Sequence, residues 1–335
     1  MDSVCLDQNY STTQLLSTER PLIDANSNDN FRTQLFLCEG EGRKGEGGLR
    51  TKGYFKHGYK KQNGNKWLVC DVNGQSGSPI ELTLERDRDE LPLITVITVV
   101  FNGEKFLEET IKSVISQTYP NVEYIIIDGG STDGTLEIIR KYEHAIDYWI
   151  SEKDKGIYDA MNKGINLAAG SWINLMNGGD VLNGVDIFEH ITTNDPQIEI
   201  YFSDTIFINQ NKKVLSKSSV ESKSFIHQSM IYRRDLHKQY GLYLNFPKVT
   251  ISDYLFFSNV LKRENSKKID HPISIYRIDG ISSNPSHYYQ KLAVNLMCGH
   301  STVFKVVVQL LYKIALQVFY YPPYKFLKNI FVNHE

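Results

Sequence analysis

Cysteine is scarce in this sequence, and no cysteine has a neighbour at metal-binding or redox spacing. The 335 residues include four cysteines and no Cys-x-x-Cys pair: Cys5, Cys38, Cys70 and Cys298. A disulfide framework or a cysteine zinc site would need closer or more regular spacing. We therefore expect free thiols in a reducing compartment.

The sequence also has little net charge. Lys and Arg total 37 against 39 for Asp and Glu, which gives a formal charge of −2. This balance excludes a protein that binds nucleic acid through bulk positive charge, and we expect no nucleic-acid partner. The first residues contain no basic segment followed by an apolar one, so we predict no secretory signal and a cytoplasmic location.

Two common phosphate-binding motifs are missing from the chain. There is neither a Gly-x-Gly-x-x-Gly dinucleotide fingerprint nor a Gly-x-x-x-x-Gly-Lys-Ser/Thr loop. Internal repeats are also missing, so a solenoid is excluded.

Residues 1–90 differ from the rest of the chain. They are polar, and ten of the 23 glycines lie in residues 40–77. Such a composition has too few apolar residues to pack a core. We predict a partly disordered extension, with short strand-like pieces at residues 34–37 and 66–72 and at most one hairpin that docks on the main body.

From residue 91 the pattern is an alternation of buried strands and amphipathic helices. Strands are predicted at residues 93–101, 122–127, 147–151 and 172–176, and helices at residues 106–115, 135–142 and 157–168. This rhythm is typical of an α/β fold, a Rossmann-like mostly parallel sheet with helices on both faces. Ligands bind such sheets beyond the carboxyl ends of the strands, which here carry Asn102, Asp128, residues 151–154 and residues 177–180.

The second half of this region has a looser rhythm. Strands are predicted at residues 199–203, 205–208, 229–233 and 269–278, and a helix at residues 253–261. We predict a mixed or antiparallel addition to the same sheet. The domain then spans residues 91–285, in two parts, residues 91–210 and residues 211–285.

Residues 286–335 are predicted to form an amphipathic helical tail. Residues 303–321 are very apolar, but Lys305, Gln309, Lys313 and Gln317 recur every fourth residue and form one polar stripe. Four polar residues argue against a membrane span. The pattern suits a helix in a membrane interface, and the alternative is packing on the protein's own body or on a dimer partner.

Several polar residues at the strand ends are candidates for binding. Asp180 follows paired glycines and, with Mg²⁺ or Mn²⁺, could clamp a diphosphate, and we add His227 as a second metal ligand. Asp128 could accept a hydrogen bond from a nucleobase. Lys155 opens a helix that carries Asn162, and a helix N-terminus favours phosphate. Each residue also has a plain structural explanation, as a turn, a cap or a surface side chain.

Four motifs together resemble inverting family-two glycosyltransferases of the GT-A fold, of the bacterial exopolysaccharide and O-antigen type. They are TVVFN at residues 98–102, SVISQTYP at 113–120, IDGGSTDG at 127–134 and NGGD at 177–180. The segment SEKDKGIYDAMNKG at residues 151–164 is similar to one branch of that family. The resemblance is weaker over residues 181–280, and residues 1–90 fall outside it.

The resemblance implies a role for each matching position. Asp128 would bind the nucleobase, with Phe101 near it. Asp180 would be the last acid of the metal motif, with Asn177 in place of the first. Asp253 would be the catalytic base that deprotonates the acceptor. The remaining nucleotide contacts would come from the same strand ends, at Thr98, Asn102, Asp154, Lys155 and Asn162.

The expected function is a non-processive transfer of a sugar from a nucleotide-diphosphate sugar to a glycan or lipid-linked acceptor. With a lipid-linked acceptor, we expect the tail helix to hold the enzyme at the inner face of the cytoplasmic membrane. Two alternatives stay open, a sugar nucleotidyltransferase and an inactive nucleotide-sugar binding protein. Asn177 and Ser252, which stand where the family has acids, make the second alternative conceivable.

Overall fold

The computed structural model describes residues 10–23, 31–40, 42–71, 76–82, 88–191, 195–209, 214–218, 226–278 and 285–320. The chain divides into two units, residues 1–280 and 281–335. The division lies close to residue 286, where the sequence predicts the helical tail to begin.

The strands and helices follow one another along the chain as the alternation predicts. The strands are β1 Gly45–Gly47, β2 Gly58–Asn63, β3 Lys66–Cys70, β4 Ser76–Glu81, β5 Glu90–Leu91, β6 Ile94–Val100, β7 Val122–Asp128, β8 Tyr148–Ser151, β9 Trp172–Asn177, β10 Val181–Leu182, β11 Ile200–Phe202, β12 Thr205–Ile208, β13 Val214–Ser218, β14 Met230–Arg233, β15 Ser266–Lys268 and β16 Ser274–Arg277. The helices are α1 Leu107–Ile115, α2 Thr135–Lys141, α3 Ile157–Leu167, α4 Leu236–Tyr240, α5 Ser252–Val260, α6 Pro285–Met297 and α7 Val303–Tyr320.

An eight-stranded sheet forms the centre of the larger unit, in the order β1-β8-β7-β6-β9-β14-β11-β15. β6 pairs in parallel with both β7 and β9, and β7 pairs in parallel with β8. β1 and β14 are antiparallel additions on either side of this parallel core. The predicted α/β fold with a mostly parallel sheet and a mixed second half is confirmed.

The central strands are buried on both faces, as their β-branched sequences require. In β6, Ile94 and Val96 pack in a hydrophobic cluster with α1, whereas Ile97 and Val99 pack in a second cluster with α3. Successive side chains of a strand point to opposite faces, so each face of the sheet needs its own helical layer. The two layers hold the strand ends at fixed positions.

Two smaller sheets complete the larger unit. One has the order β10-β16-β12-β13 and the other the order β4-β3-β2-β5. The predicted strand over residues 269–278 is wrong in its extent, because only Ser274–Arg277 is a strand and β15 precedes it. Residue 272 is a proline, which cannot donate to a strand ladder.

The described part of residues 1–90 is more ordered than the composition suggested. β1 extends the main sheet by pairing with β8, and β2 to β5 form a four-stranded sheet where one hairpin was expected. Residues 34–37 are not a strand, whereas β3 falls within the predicted residues 66–72. Glycine is needed in β1 because a Cβ at Gly47 would lie 2.6 Å from the indole nitrogen of Trp149.

A buried ion pair joins this N-terminal region to the central sheet. Arg50 Nη2 lies 2.5 Å from Glu123 Oε1, and both side chains are almost fully enclosed. Glu123 Oε2 accepts hydrogen bonds from the Thr95 hydroxyl (2.6 Å) and the Ala169 amide (2.8 Å). All the donors that this buried carboxylate needs are therefore present. Because one of them is Arg50, the N-terminal region is a structural part of the sheet.

The smaller unit contains α6 and α7. α7 begins and ends close to the predicted bounds, and its apolar residues Val303, Phe304, Val308 and Leu311 are exposed. Within the described parts of the chain, no helix combines the length and apolar character that crossing a bilayer requires. The part of the predicted tail after residue 320 lies outside the described residues.

Replacing Arg50 tests whether the N-terminal region is structural. We expect Arg50→Met to lower the free energy of unfolding by ~3–5 kcal/mol, because Glu123 would stay buried with its cation removed. The matched control is Lys52→Met, which loses only a partly exposed 3.5 Å ion pair with Glu143 and should cost ~1 kcal/mol or less. Urea unfolding followed by circular dichroism measures both. Equal losses in the two variants would contradict this account.

Candidate active site

The carboxyl ends of the four parallel strands lie side by side. Val100 at the end of β6 pairs with Asp128 at the end of β7, and Asp128 pairs with Ser151 of β8. On the other side of β6, Val99 pairs with Asn177 of β9. The polar segments that follow these strands therefore meet at one edge of the sheet, where parallel sheets bind ligands.

Asp128 is enclosed at this edge and shapes the turn that follows it. Its carboxylate accepts hydrogen bonds from the Ser131 amide (3.1 Å), the Ser131 hydroxyl and the Ser151 hydroxyl (2.5 Å). The side chain is 0% exposed. In this structure the carboxylate presents no surface to a nucleobase, so its direct effect is to hold the turn at residues 129–134 against β8.

Phe101 and Asn102 follow β6 and lie beside that turn. Phe101 is 63% exposed. Asn102 has a left-handed backbone (φ 51°), which asparagine tolerates better than most residues. Its side-chain oxygen accepts a hydrogen bond from the Thr132 backbone amide (2.9 Å). Its own backbone amide donates to the Ser131 hydroxyl (2.7 Å). Asn102 therefore ties the end of β6 to the turn after β7.

Thr98 is not at the strand end. It lies within β6, is fully buried, and its hydroxyl lies 3.0 Å from the Tyr124 hydroxyl. The reason is that β6 continues for two more residues before the chain turns into the crevice. Thr98 is a core residue, and we correct its expected role as a nucleotide contact.

Asp154 and Lys155 lie on the segment between β8 and α3. Burial raises the pKa of Asp154, whose Oδ1 accepts from the Gly156 amide at 2.9 Å. A Cβ at Gly129 would overlap the Asp154 carboxylate, so glycine there lets the two loops touch. Lys155 is exposed, and its amide donates to Asp159. Both residues stay close to the turn after β7.

Asn162 has a different role from the predicted one. Its side-chain amide donates to the Tyr243 carbonyl (2.8 Å), and its side-chain oxygen accepts from the Tyr243 amide (3.0 Å). These two bonds join α3 to the segment that follows α4. Since both polar ends are used by backbone, the predicted contact of Asn162 with phosphate is corrected to a structural link.

Asp180 ends the short turn after β9 and is buried. Its Oδ2 accepts from Gln228 Nε2 (2.6 Å) and its Oδ1 from the Arg277 amide (2.8 Å). Gly179, with φ 112°, gives the turn a backbone that other residues rarely adopt. Burial raises the pKa of Asp180 to about 6, against the opposing effect of these hydrogen bonds and of nearby His227 and Arg277.

Asp253 lies in the first turn of α5, where the helix dipole favours a carboxylate. Its Oδ1 accepts from the Tyr158 hydroxyl (2.7 Å) and its Oδ2 contacts His227 Nδ1 (2.7 Å). Burial alone would raise the pKa of Asp253, but the hydrogen bonds from His227 and Tyr158 bring it below the usual range. Asp253 is therefore ionised at neutral pH and held by two donors.

His227 is bound at both ring nitrogens. Nδ1 contacts Asp253, and Nε2 lies 3.4 Å from the side-chain oxygen of Asn177. These two contacts set the direction of the His227 ring, and its expected role as a second metal ligand stays a prediction.

Adjacent residues His227 and Gln228 connect the two halves of the site. His227 contacts Asp253 of α5, while Gln228 donates to Asp180 in the turn after β9. Each of the two carboxylates thus contacts one side chain of the same dipeptide. Nothing in the sequence indicates the Gln228 contact, beyond the position of Gln228 next to His227.

Arg277 and Tyr158 also belong to the site and were not predicted as functional residues. The Arg277 guanidinium lies 4.0 Å above the Phe106 ring, donates to the Gly179 carbonyl (3.2 Å) and pairs with Glu109 (3.3 Å). It places a positive charge beside the Asp180 turn. Tyr158 could have been noticed as the aromatic residue on the polar segment that opens α3, whereas nothing in the sequence connects Arg277 with residue 180.

Asp180 is the candidate for holding a cation. Among the residues that the structure describes, no three His, Cys, Asp or Glu side chains are grouped so that they could hold a metal ion by themselves. Each Asp180 oxygen accepts a single hydrogen bond in the contacts above, which leaves lone pairs for an ion. A hard divalent cation commonly uses one or two carboxylates and takes its other oxygens from water and phosphate. The residues fit a cation site only if a ligand supplies oxygens.

The chain matches the family described as glycosyl transferase family 2 over residues 95–247. These residues include β6 to β9 and the turns that follow them. The matched region, a little under half of the chain, is similar to glycosyl transferase family 2. The predicted family and its GT-A fold are confirmed.

Individual relatives agree with this assignment. An uncharacterized glycosyltransferase of Mycobacterium tuberculosis is 41% identical over 97 residues, which cover 29% of this chain and 37% of the relative. A PGL/p-HBAD biosynthesis glycosyltransferase of Mycobacterium bovis is 27% identical over 183 residues, 50% of this chain and 71% of the relative. The chain thus spans little more than a third of the first relative's length.

A solved structure shares the fold. Residues 1–349 of Staphylococcus aureus TarS, in a complex with UDP-GlcNAc, superpose with a TM-score of 0.50 at 18% identity, over 60% of this chain and 64% of that one. At this identity the likeness concerns the fold alone.

Proposed function

We propose that this protein transfers a sugar from a nucleoside-diphosphate sugar to a hydroxyl group of a glycan or lipid-linked acceptor, one sugar per encounter and with inversion at the anomeric carbon. The single observation that carries the proposal is the placement of Asp180 and Asp253 on either side of the dipeptide His227–Gln228. Similarity to family 2 supports the reaction class. A relative named as a PGL/p-HBAD biosynthesis glycosyltransferase supports a transferase with a biosynthetic role.

Asp253 is the proposed base. An acceptor hydroxyl is a poor nucleophile at its own pKa, so a carboxylate within hydrogen-bond reach must take its proton as the new bond forms. Asp253 is ionised before the acceptor arrives, because His227 and Tyr158 donate to it. Those two donors also fix the direction of the carboxylate, which gives them a positioning role.

The turn at residues 129–134 and the segment at 151–155 are the proposed nucleoside pocket. Exposed Phe101 offers a ring face to a base, and Asp154, which packs against Gly129 of the turn, offers a carboxylate oxygen. Lys155 places a positive charge at the start of α3, which suits phosphate. That the TarS structure holds UDP-GlcNAc in a related fold supports a nucleotide-sugar donor here.

Asp180 is the proposed ligand of a Mg²⁺ or Mn²⁺ ion that the donor's diphosphate would complete. When bound, such an ion would neutralise the charge that grows on the leaving diphosphate. Arg277, stacked on Phe106 beside the same turn, adds a fixed positive charge. Inversion requires attack from the face opposite the diphosphate, and Asp253 is proposed to accept the acceptor's proton on that face.

Replacing the base separates catalysis from binding. We expect Asp253→Asn to lower the transfer rate by about 10²–10⁴-fold, since the amide cannot accept the proton, while nucleotide affinity changes less than twofold. The control is Asp235→Asn, which alters an exposed aspartate at the start of another helix and should leave transfer unchanged. Transfer from a radiolabelled nucleotide sugar and calorimetric binding of its nucleotide measure the two effects. Asp253→Asn with more than a tenth of normal turnover would contradict the assignment.

The raised pKa of Asp180 predicts a pH-dependent cation affinity. Protons compete with the cation for this carboxylate, which is protonated below about pH 6. We expect the affinity for Mn²⁺, measured by calorimetry with the bound nucleoside diphosphate, to be nearly constant above pH 7. It should fall towards tenfold per pH unit below pH 6. Asp180→Asn should bind Mn²⁺ weakly at every pH. An affinity that is the same at pH 5 and pH 7.5 would exclude Asp180 as the ligand.

We also propose that the protein lies peripherally on the inner face of the cytoplasmic membrane through α7. Phe304 is 77% exposed and Leu311 is 60% exposed, with Lys305 on the same helix. Apolar side chains with flanking lysines suit insertion at the level of anionic headgroups.

Deleting residues 300–335 tests this location. We expect the full chain to float with vesicles that contain anionic phosphatidylglycerol, and the truncated chain to stay in the aqueous fraction. Phe304→Ser combined with Leu311→Ser should reduce flotation without removing the helix. If the truncated and full chains partition alike, the membrane proposal is wrong.

A further inference from the structure

Residues 42–47 of the N-terminal region lie across the loops of the proposed nucleoside pocket. The Lys44 ammonium donates to the carbonyls of Gly130 (2.9 Å) and Ser131 (2.8 Å) in the turn after β7. The Lys44 amide donates to the Ser151 carbonyl at the end of β8 (2.7 Å). One residue therefore bonds to both loops.

Arg43 makes a second connection, to the residue that follows β8. Its guanidinium donates through Nε (3.1 Å) and Nη2 (3.0 Å) to one oxygen of Glu152. The other Glu152 oxygen accepts from Lys163 of α3 at 2.7 Å. Glu152 is only 4% exposed, so its charge depends on these two cations, one from the N-terminal region and one from α3.

The two loops are also in contact with each other. The Glu152 amide donates to the Asp128 carbonyl (3.1 Å). Gly130 has φ 83°, and a Cβ there would lie 3.2 Å from the Lys153 amide nitrogen. With Gly129 packed on Asp154, the loops form one layer, so a displacement of either moves the other.

We propose that residues 42–47 are a positioning element of the donor-nucleotide pocket, in which Lys44 and Arg43 hold the loops that carry Asp128 and Asp154. The ligand class is the nucleoside part of a nucleoside-diphosphate sugar, and the inference rests on the proposed function. These residues lie outside residues 95–247, which match the family, so they are an addition to its common domain.

The physical reason is preorganisation. Without the Lys44 ammonium, the Gly130 and Ser131 carbonyls turn to water and the turn samples more conformations. Binding must then order the turn, and this cost reduces affinity for the nucleotide. Asp253 and His227 are held by other contacts, so the chemical step at saturating donor is unaffected.

The decisive variant is Lys44→Met, which keeps the aliphatic stem and removes the donor. We expect the donor KM and the Kd of the corresponding nucleoside diphosphate to rise about five- to tenfold, with kcat changed less than twofold. Lys44→Arg, which can still donate to both carbonyls, should restore the wild-type KM. The matched control is Lys52→Met, a lysine of the same region whose partner is Glu143, and it should change neither constant.

Hydrogen exchange provides a readout independent of turnover. The amides of residues 129–134 should exchange faster in Lys44→Met than in the wild type, at an unchanged melting temperature. A Lys44→Met protein with wild-type KM, Kd and exchange would overturn the inference. So would a loss of kcat at unchanged KM, or equal effects of Lys44→Met and Lys52→Met.

Failure of the proposed function gives a different result. If the wild-type protein binds no nucleoside diphosphate, the function is wrong and the inference falls with it. If the wild type binds and Lys44→Met binds equally well, only the positioning role is wrong.

Discussion

The site depends on the hydrogen bonds of two consecutive side chains, His227 and Gln228. One contacts the predicted base Asp253 and the other the buried Asp180, so residues 73 positions apart in the sequence face the same crevice. A one-residue shift of this dipeptide would break both hydrogen bonds and leave each buried carboxylate with fewer donors, which is costly. The antiparallel pairing of β14 with β9 opposes that shift, because it begins at Ile231, three residues after Gln228.

The N-terminal region contributes to the same crevice through β1, the edge strand of the main sheet next to β8. Arg50 enters the core to pair with Glu123 of β7, and β1 joins β8 as an added strand. Both contacts act on strands whose ends carry the nucleoside loops. The region therefore stabilises the frame through Arg50 and reaches the loops through Arg43 and Lys44.

Periodicity predicted the parallel core well because burial on both faces leaves a strong pattern in β6, β7 and β9. It failed where function depends on long-range contacts. Asp128 and Asp180 were found as strand-end acids, but their enclosure by Ser131, Ser151 and Gln228 follows from tertiary packing alone. Asn162 and Thr98 have polar side chains at plausible positions, yet both are used internally.

The order of the glycine-rich residues 40–77 is underestimated from composition for a related reason. Glycines usually indicate poor order because they have no side chain to pack. Here the missing side chain is what allows close approach, since Gly45 and Gly47 lie against the Trp149 ring and Gly40 lies against the Glu152 carboxylate. Composition cannot distinguish a flexible glycine from one that is needed for contact with a bulky neighbour.

The central claim is that one crevice holds the donor between Asp180 and Asp253. It is tested most directly by anomalous diffraction from crystals of the protein grown with Mn²⁺ and a nucleoside diphosphate chosen by thermal shift. The account predicts a manganese peak bound to the Asp180 carboxylate, with the diphosphate beside it and the nucleoside against residues 129–134. A nucleotide bound elsewhere, or manganese bound away from Asp180, would contradict it.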